Sequence, residues 1–349
     1  MINDDVWASR RKRAWPSDRW GMLTCQSAWD DTADTRTFLL TPTEGARISY
    51  NPGQYMTFRV ETPNGVVERC YTIASSAARD SSIEITVKRQ PNGSASDILH
   101  KTLSPGHKIE AFGPSGQFTP SGLSGNRFAL IAAGSGVTPM LSILRTAADR
   151  GIALDAVFIH VARTTDDAIA AGEIPLLQKR LPGLSCDILP SQGPAKTRLD
   201  ADLLQRMIPD LAQRNVLCCG PESFMAMVYE AAMTAGVPPA HFMQESFTFA
   251  DPLDADEAAT DAPLHRVTFA KSGVSFDCPE GLNILKAAKD AGVPMQSSCA
   301  RGECGTCKTF KHAGEVNMTN AGGIRQREMD RGFILPCTSR PLTDIILDR

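Results

Sequence analysis

The chain has 349 residues, 42% of them hydrophobic, with 36 Lys and Arg against 39 Asp and Glu for a formal net charge of −3. That much apolar material buries the cores of two or three domains, and so balanced a charge excludes the chain-wide basic field that holds nucleic acid. No apolar run approaches the ~20 residues of a membrane-spanning helix, and the opening MINDDVWASRRKR has no apolar export signal, so a cytoplasmic protein without nucleic-acid or membrane partners is expected.

Residues 1–19, with Arg10, Arg11, Lys12 and Arg13, read as a solvated N-terminal arm. Over 20–121 short alternating segments are broken by Pro and Gly. Ile83, Ile85 and Val87 face one way and Glu84, Thr86 and Lys88 the other, which predicts an antiparallel β-barrel. From Arg127 the texture changes to the continuous apolar strand RFALIAA, a glycine turn, a helix opening at Pro139, and further strands in DAVFIHVA and NVLCCG. Continuous runs separated by helical stretches predict a parallel-sheet α/β domain over 122–248. The acidic, Pro-bearing stretch FADPLDADEAATDAP at 249–263 offers little to pack and is expected to be a linker. Residues 264–349 follow as a separate unit, with strand-like HRVTFA and VSFDCP and a helix over NILKAAKDAG that leads into a cysteine-rich loop.

Ten cysteines in a long chain without an export signal fit thiols or metal ligands better than a disulfide scaffold. Four of them, Cys299, Cys304, Cys307 and Cys337, have the C-x4-C-x2-C spacing with a distant fourth Cys that binds plant-type 2Fe-2S clusters. Gly302 and Gly305 let the backbone wrap closely. Structural zinc usually pairs one C-x2-C with another, and only one such short pair is present here. The stretch 264–349 resembles a plant-type ferredoxin domain, which implies an α+β β-grasp fold.

Arg69-Cys70-Tyr71-Thr72-Ile73-Ala74-Ser75 resembles the flavin motif R-x-Y-[ST]-x-x-[ST] of the ferredoxin-NADP reductase superfamily. A guanidinium pairs with a pyrophosphate, a tyrosine stacks on an isoalloxazine, and a hydroxyl reaches the flavin N5 edge. The resemblance therefore implies flavin contacts at Arg69, Tyr71, Thr72 and Ser75. Gly93, Ser94 and Ser96 precede the helix-like DILHKTL, an anion site where the family binds flavin phosphate, with Lys88 as a helper. FAD is favoured over the FMN used by phthalate-dioxygenase-type reductases.

The loop Gly134-Ser135-Gly136-Val137-Thr138-Pro139 follows a buried strand and resembles the superfamily's G-x-G-x-[ST]-P, implying nucleotide contacts at Gly134, Gly136, Thr138 and Pro139. Cys219-Gly220-Pro221 resembles the C-G-P motif, whose cysteine lies beside the nicotinamide C4 and flavin N5. Cys218 is expected to be a small buried apolar residue. Glu245-Ser246-Phe247 resembles the E-x-F that closes the nucleotide domain near the flavin. Thr72, Cys219 and Glu245 are accordingly the expected catalytic residues. Beyond the second strand, Arg163 is placed to meet a 2′-phosphate that Asp166 and Asp167 would repel, so NADH is favoured over NADPH.

Together these resemblances imply an NAD(P)H-dependent oxidoreductase that moves electrons from NADH to FAD to a 2Fe-2S cluster and on to a separate protein. The domain order resembles reductase components of Rieske-type oxygenases, including those acting on quaternary amines such as glycine betaine. It also resembles reductases of hybrid-cluster proteins. A non-catalytic redox-sensing module is the more distant alternative, since sensing alone needs no complete hydride-accepting site.

Overall fold

A computed structural model describes residues 15–16, 19–63, 65–91, 93–247, 262–293, 295, 300, 302, 305, 307–320, 323–324 and 326–349. They form two compact units that divide between Phe247 and Thr248. Among the described residues no helix is long and apolar enough to cross a membrane.

The first unit opens with six antiparallel strands, β1 (Gly21–Thr32), β2 (Thr35–Pro42), β3 (Tyr55–Thr62), β4 (Gly65–Thr72), β5 (Ile83–Lys88) and β6 (Lys108–Ser115), with helix α1 (Ala95–Thr102) between the last two. Their order is β4-β3-β6-β1-β2-β5, and a bridge from Ile73 to Ile85 joins the two edges into a barrel. Closure removes unpaired edges. Ile83, Ile85 and Val87 point inward against Leu23, Phe38, Leu40 and Phe58, as the period-two alternation predicts.

The same unit continues with five parallel strands, β7 (Arg127–Ala133), β8 (Asp155–Ala162), β9 (Leu184–Pro190), β10 (Asn215–Cys219) and β11 (Phe242–Glu245), in the order β11-β10-β7-β8-β9. Helices α2 (Val137–Arg150), α3 (Ile174–Arg180), α4 (Ala201–Met207) and α5 (Glu222–Thr234) cover both faces. Phe128, Leu130 and Ala132 of β7 pack with α2 and α3, whereas Ala129 and Ile131 pack with α4 and α5. Burial on both faces is why Phe128–Ala133 is apolar throughout. Helix α2 begins at Val137 rather than at Pro139, because a single 3-10 turn over Gly134–Gly136 runs straight into it. Pro139 then sits in the first helical turn, where its missing N–H costs nothing.

Side chains of α2 dock this sheet on the barrel. Ser142 Oγ donates to the Ser75 carbonyl at 2.9 Å, Arg145 Nη1 to the Ala74 carbonyl at 2.8 Å, and Thr146 Oγ1 accepts the Ala77 N–H at 2.9 Å. Arg145 also pairs with Glu84 at 3.1 Å and Glu173 at 2.5 Å.

The second unit contains β12 (Leu264–Phe269), β13 (Ser275–Pro279), helix α6 (Ile284–Asp290), β14 (Thr309–Ala313), β15 (Val316–Met318), helix α7 (Gln326–Met329), β16 (Phe333–Ile334), β17 (Ser339–Pro341) and β18 (Ile345–Leu347). The main sheet runs β13-β12-β18-β14-β16, and β15 pairs with β17. Asn283 caps α6 by accepting the Lys286 N–H at 2.8 Å, and Ile284, Ala287 and Ala288 bury against Val267, Phe276 and Ile345. A mixed sheet grasping one helix is the β-grasp arrangement.

Thr146→Val leaves the buried Ala77 N–H without an acceptor, at a cost of about 1–3 kcal/mol. The variant should release flavin at a lower temperature than the native chain in a thermal melt. An unchanged melt would remove Thr146 from the docking seam.

Candidate functional site

In an open α/β sheet, ligands bind beyond the carboxyl ends of the strands where the strand order reverses. Here that place lies between β7 and β10, and both strands end in glycine-bearing turns. Gly134 adopts φ +56°, a left-handed conformation that side chains disfavour. A Cβ on Gly136 would lie 2.3 Å from the Cys219 carbonyl oxygen, and one on Gly220 would lie 3.0 Å from Ala133 Cβ. The two turns therefore touch backbone to backbone, with no room for side chains between them. Thr138 Oγ1 donates to the Ser135 carbonyl at 3.1 Å, Pro139 is buried in α2, and Pro221 precedes α5 as its N-cap.

Cys219 is fully buried and in register with Ala132 of β7 and Glu245 of β11. Burial pushes its thiol well above the ordinary value, and the neighbouring Glu245 carboxylate pushes it further. The group is a neutral thiol that can pack against a flat ring, and it is no nucleophile. Cys218 faces the opposite core with Val216 and Met225, as a small apolar residue would. Phe247 packs on the core that holds Phe128 and Cys219.

On the barrel, Arg69 and Tyr71 sit two apart on β4 and share a face. The Tyr71 ring lies 6.0 Å from that of Phe58, and burial raises its phenol above the usual value. Among the described residues Arg69 Nη1 donates to the Glu68 carbonyl at 2.9 Å. The Thr72 hydroxyl is buried and makes no hydrogen bond among the described residues. Such an orphan costs about 1–3 kcal/mol unless a ligand satisfies it, which fits a flavin edge at this position.

Other expected contacts have partners inside the protein. The Ser75 hydroxyl lies 2.9 Å from the Tyr50 hydroxyl and accepts the Glu84 N–H at 3.0 Å, so it braces the barrel. Ser94 Oγ caps α1 and donates to the Gln90 carbonyl at 2.5 Å, while Ser96 Oγ accepts the Gln90 N–H at 2.9 Å. The Gly93 N–H donates to Asp97 at 3.3 Å. Lys88 Nζ lies 3.6 Å from Asp34, and Arg163 Nη2 pairs with Asp34 at 2.6 Å and Asp167 at 2.9 Å. Asp34 sits in the β1–β2 turn, which carries no motif to reveal it. His160 of β8 was equally silent in the sequence. It is buried, hydrogen-bonds the Gly134 backbone, and is held neutral by burial, its pKa pushed down to about 4.

A separate recess of about 610 Å³ is lined by Trp29, Asp31, Arg79, Arg145, Glu173 and Arg180 among others. Of the motif residues it touches only Ser75, and its arginines are already paired with Glu84, Glu173 and Asp149.

In the second unit Cys307 and Cys337 are buried with their sulfurs 3.2 Å apart. Leu285, Ile324 and Leu335 enclose them, with Met295, Met318 and Met329 alongside. Gly302 and Gly305 take φ +80° and +71°, and a Cβ on Gly305 would lie 2.5 Å from the Gly323 carbonyl oxygen. Two soft ligands converging in an apolar pocket under closely wrapped backbone fit an iron-sulfur cluster. Cys299 and Cys304 lie outside the described residues.

A flavin barrel, a nucleotide crevice and a cysteine-lined β-grasp unit define a pyridine-nucleotide oxidoreductase with a built-in iron-sulfur centre. Residues 26–119 match the oxidoreductase FAD-binding domain family, 130–230 the oxidoreductase NAD-binding domain family, and 267–342 the 2Fe-2S iron-sulfur cluster binding domain family. The chain is 34% identical to a stachydrine N-demethylase reductase subunit of Rhizobium meliloti, over 93% of this chain and 96% of that protein. It is 31% identical to a glycine betaine monooxygenase reductase subunit of Pseudomonas aeruginosa, over 99% and 98%. Phthalate dioxygenase reductase, described as a modular structure for electron transfer from pyridine nucleotides to [2Fe-2S], superposes with a TM-score of 0.61 at 27% identity, covering 95% of this chain and 98% of that one. The chain belongs to the ferredoxin-NADP reductase superfamily, in the branch with a C-terminal plant-type 2Fe-2S domain.

Gly136→Ala should retain flavin yet reduce it from NADH about a hundredfold more slowly, since a misplacement of about 1 Å has that effect. Stopped-flow flavin reduction at the native rate would show that the contact with Cys219 does not shape the nucleotide site.

Proposed function

We propose that this chain is the NADH-oxidising reductase component of a Rieske-type monooxygenase acting on a quaternary amine such as glycine betaine. The observation that carries the proposal is end-to-end similarity to reductase subunits of a glycine betaine monooxygenase and a stachydrine N-demethylase.

When bound, a flavin accepts electrons in pairs as hydride and a 2Fe-2S cluster takes them singly, so the two together match a nicotinamide donor to a one-electron acceptor. Within this division of labour Arg69 would pair with the flavin phosphates, Tyr71 would stack on the flavin ring, and the Thr72 hydroxyl would hydrogen-bond its edge. Gly93, Ser94, Ser96 and Lys88 would line the flavin phosphates, and Ser75 holds the strand in place. The turn from Gly134 to Pro139, with Gly220 and Pro221, would admit the nucleotide pyrophosphate. Cys219, Glu245 and Phe247 would position the nicotinamide. Cys299, Cys304, Cys307 and Cys337 would hold the cluster.

NADH is preferred because Arg163 already lies between Asp34 and Asp167, which leaves its charge satisfied before any 2′-phosphate arrives. No disulfide joins the eight described cysteines, which supports a reducing, cytoplasmic setting.

Cys219→Ala should keep flavin and slow its reduction by NADH about a hundredfold. Flavin reduction at the native rate in a stopped-flow trace would take Cys219 out of the site. A chain ending at Phe247 should bind FAD and reduce ferricyanide from NADH, yet fail to drive the oxygenase. Full delivery by that truncated chain would overturn the proposed electron path.

A further inference from the structure

Strand β18 runs antiparallel to β14 with Leu347 opposite Lys311, and the Asp348 N–H donates to the Phe310 carbonyl at 2.9 Å. Continuing this register brings Arg349 beside Thr309, at the foot of the cysteine loop. Arg349 Nε donates to Thr309 Oγ1 at 2.7 Å, and Nη2 reaches the Cys307 carbonyl at 3.4 Å. Thr309 is 4% exposed and its hydroxyl donates to the same Cys307 carbonyl at 3.0 Å. A hydroxyl that accepts from a guanidinium and passes its own proton toward a carbonyl is polarised, and the second bond strengthens. The Arg349 main-chain oxygen accepts the Lys271 and Ser272 N–H groups at 2.5 and 3.0 Å. Among the described residues Arg349 forms no ion pair; the adjacent Asp348 is taken by Lys271 at 2.8 Å and His312 at 3.2 Å. A half-buried guanidinium that no side-chain carboxylate pairs among the described residues therefore rests on the backbone of a predicted cluster ligand.

We propose, on the basis of the 2Fe-2S assignment of these cysteines, that Arg349 is a positioning residue that raises the cluster's reduction potential. Its charge reaches the Cys307 carbonyl directly and through the Thr309 hydroxyl. Reduction adds one electron to a thiolate-held centre that is already negative, and Arg349 takes up no proton in the step. A fixed positive charge in a site of low dielectric stabilises the product of that step more than its reactant, and hydrogen bonds and net charge are the protein's means of setting such potentials. The consequence is an electron that passes more readily from flavin to cluster.

The test uses the full-length holoprotein in dye-mediated redox titrations read by the EPR signal of the reduced cluster. Arg349→Gln keeps a donor and loses the charge. At a fixed potential its ratio of reduced to oxidised cluster should fall about tenfold, equivalent to about 59 mV for one electron. Arg349→Lys, which keeps the charge, should stay close to the native midpoint. A native midpoint in Arg349→Gln with full iron content would overturn the proposal, as would Arg349→Lys shifting as far as Arg349→Gln. If Arg349→Gln loads iron poorly, Thr309→Val decides, because it keeps the cation and removes the relay: a smaller negative shift supports the relay and an unmoved midpoint overturns it. An iron-free native protein with no EPR signal would instead defeat the cluster assignment, so the two failures are distinct.

Discussion

The reductase unit depends on the face of α2 that presents Ser142, Arg145 and Thr146 to the backbone of residues 74–77. Those residues continue the strand that carries Arg69, Tyr71 and Thr72, and α2 itself grows out of the Gly134–Gly136 turn. One helix thus links the expected flavin strand to the expected nucleotide loop through short, buried, directional bonds. Ser142 and Thr146 are fully buried, so each unmade bond would leave an unsatisfied polar group. Apolar packing alone could let the two layers slide, whereas these bonds admit one arrangement.

Around that axis, the chemistry is placed by closeness rather than by charge. Gly136 meets the carbonyl of Cys219, Cys219 lies beside Glu245, and Thr72 keeps a buried hydroxyl without a hydrogen-bond partner among the described residues. The charged groups at the seam are largely spent on one another, as in the chain from Lys88 through Asp34 to Arg163 and Asp167. Neutral His160 beneath the glycine turn follows the same rule, since a cation there would need a buried counter-charge. In the β-grasp unit the Arg349 guanidinium donates to the Thr309 hydroxyl and the Cys307 carbonyl, the backbone of an expected cluster ligand.

Features encoded over a few residues were legible in the sequence. The alternation of Ile83, Ile85 and Val87 declared a barrel strand, the unbroken run from Phe128 to Ala133 a strand covered on both faces, and the spacing of Cys299, Cys304 and Cys307 a cluster loop. Each is a local pattern whose cause, the side-chain period or the reach of a ligand loop, acts within the segment itself. The start of α2 was misplaced by two residues because a glycine turn and a helix share similar local geometry.

Partnerships were settled only by the tertiary structure. Ser75 stands in a flavin motif yet gives its hydroxyl to Tyr50 and the Glu84 N–H, and Arg163 finds a barrel carboxylate 129 positions away in Asp34. Asp34, His160, Ser142 and Arg349 belong to no motif, and their roles exist only once distant strands are in register. Side-chain chemistry and short-range spacing are written in the chain, so the sequence alone pointed to the flavin, nucleotide and iron-sulfur domains and their cofactors, and named candidate ligand cysteines. Which polar groups remain free for a ligand depends on what long-range folding has already consumed, and only the fold decided that.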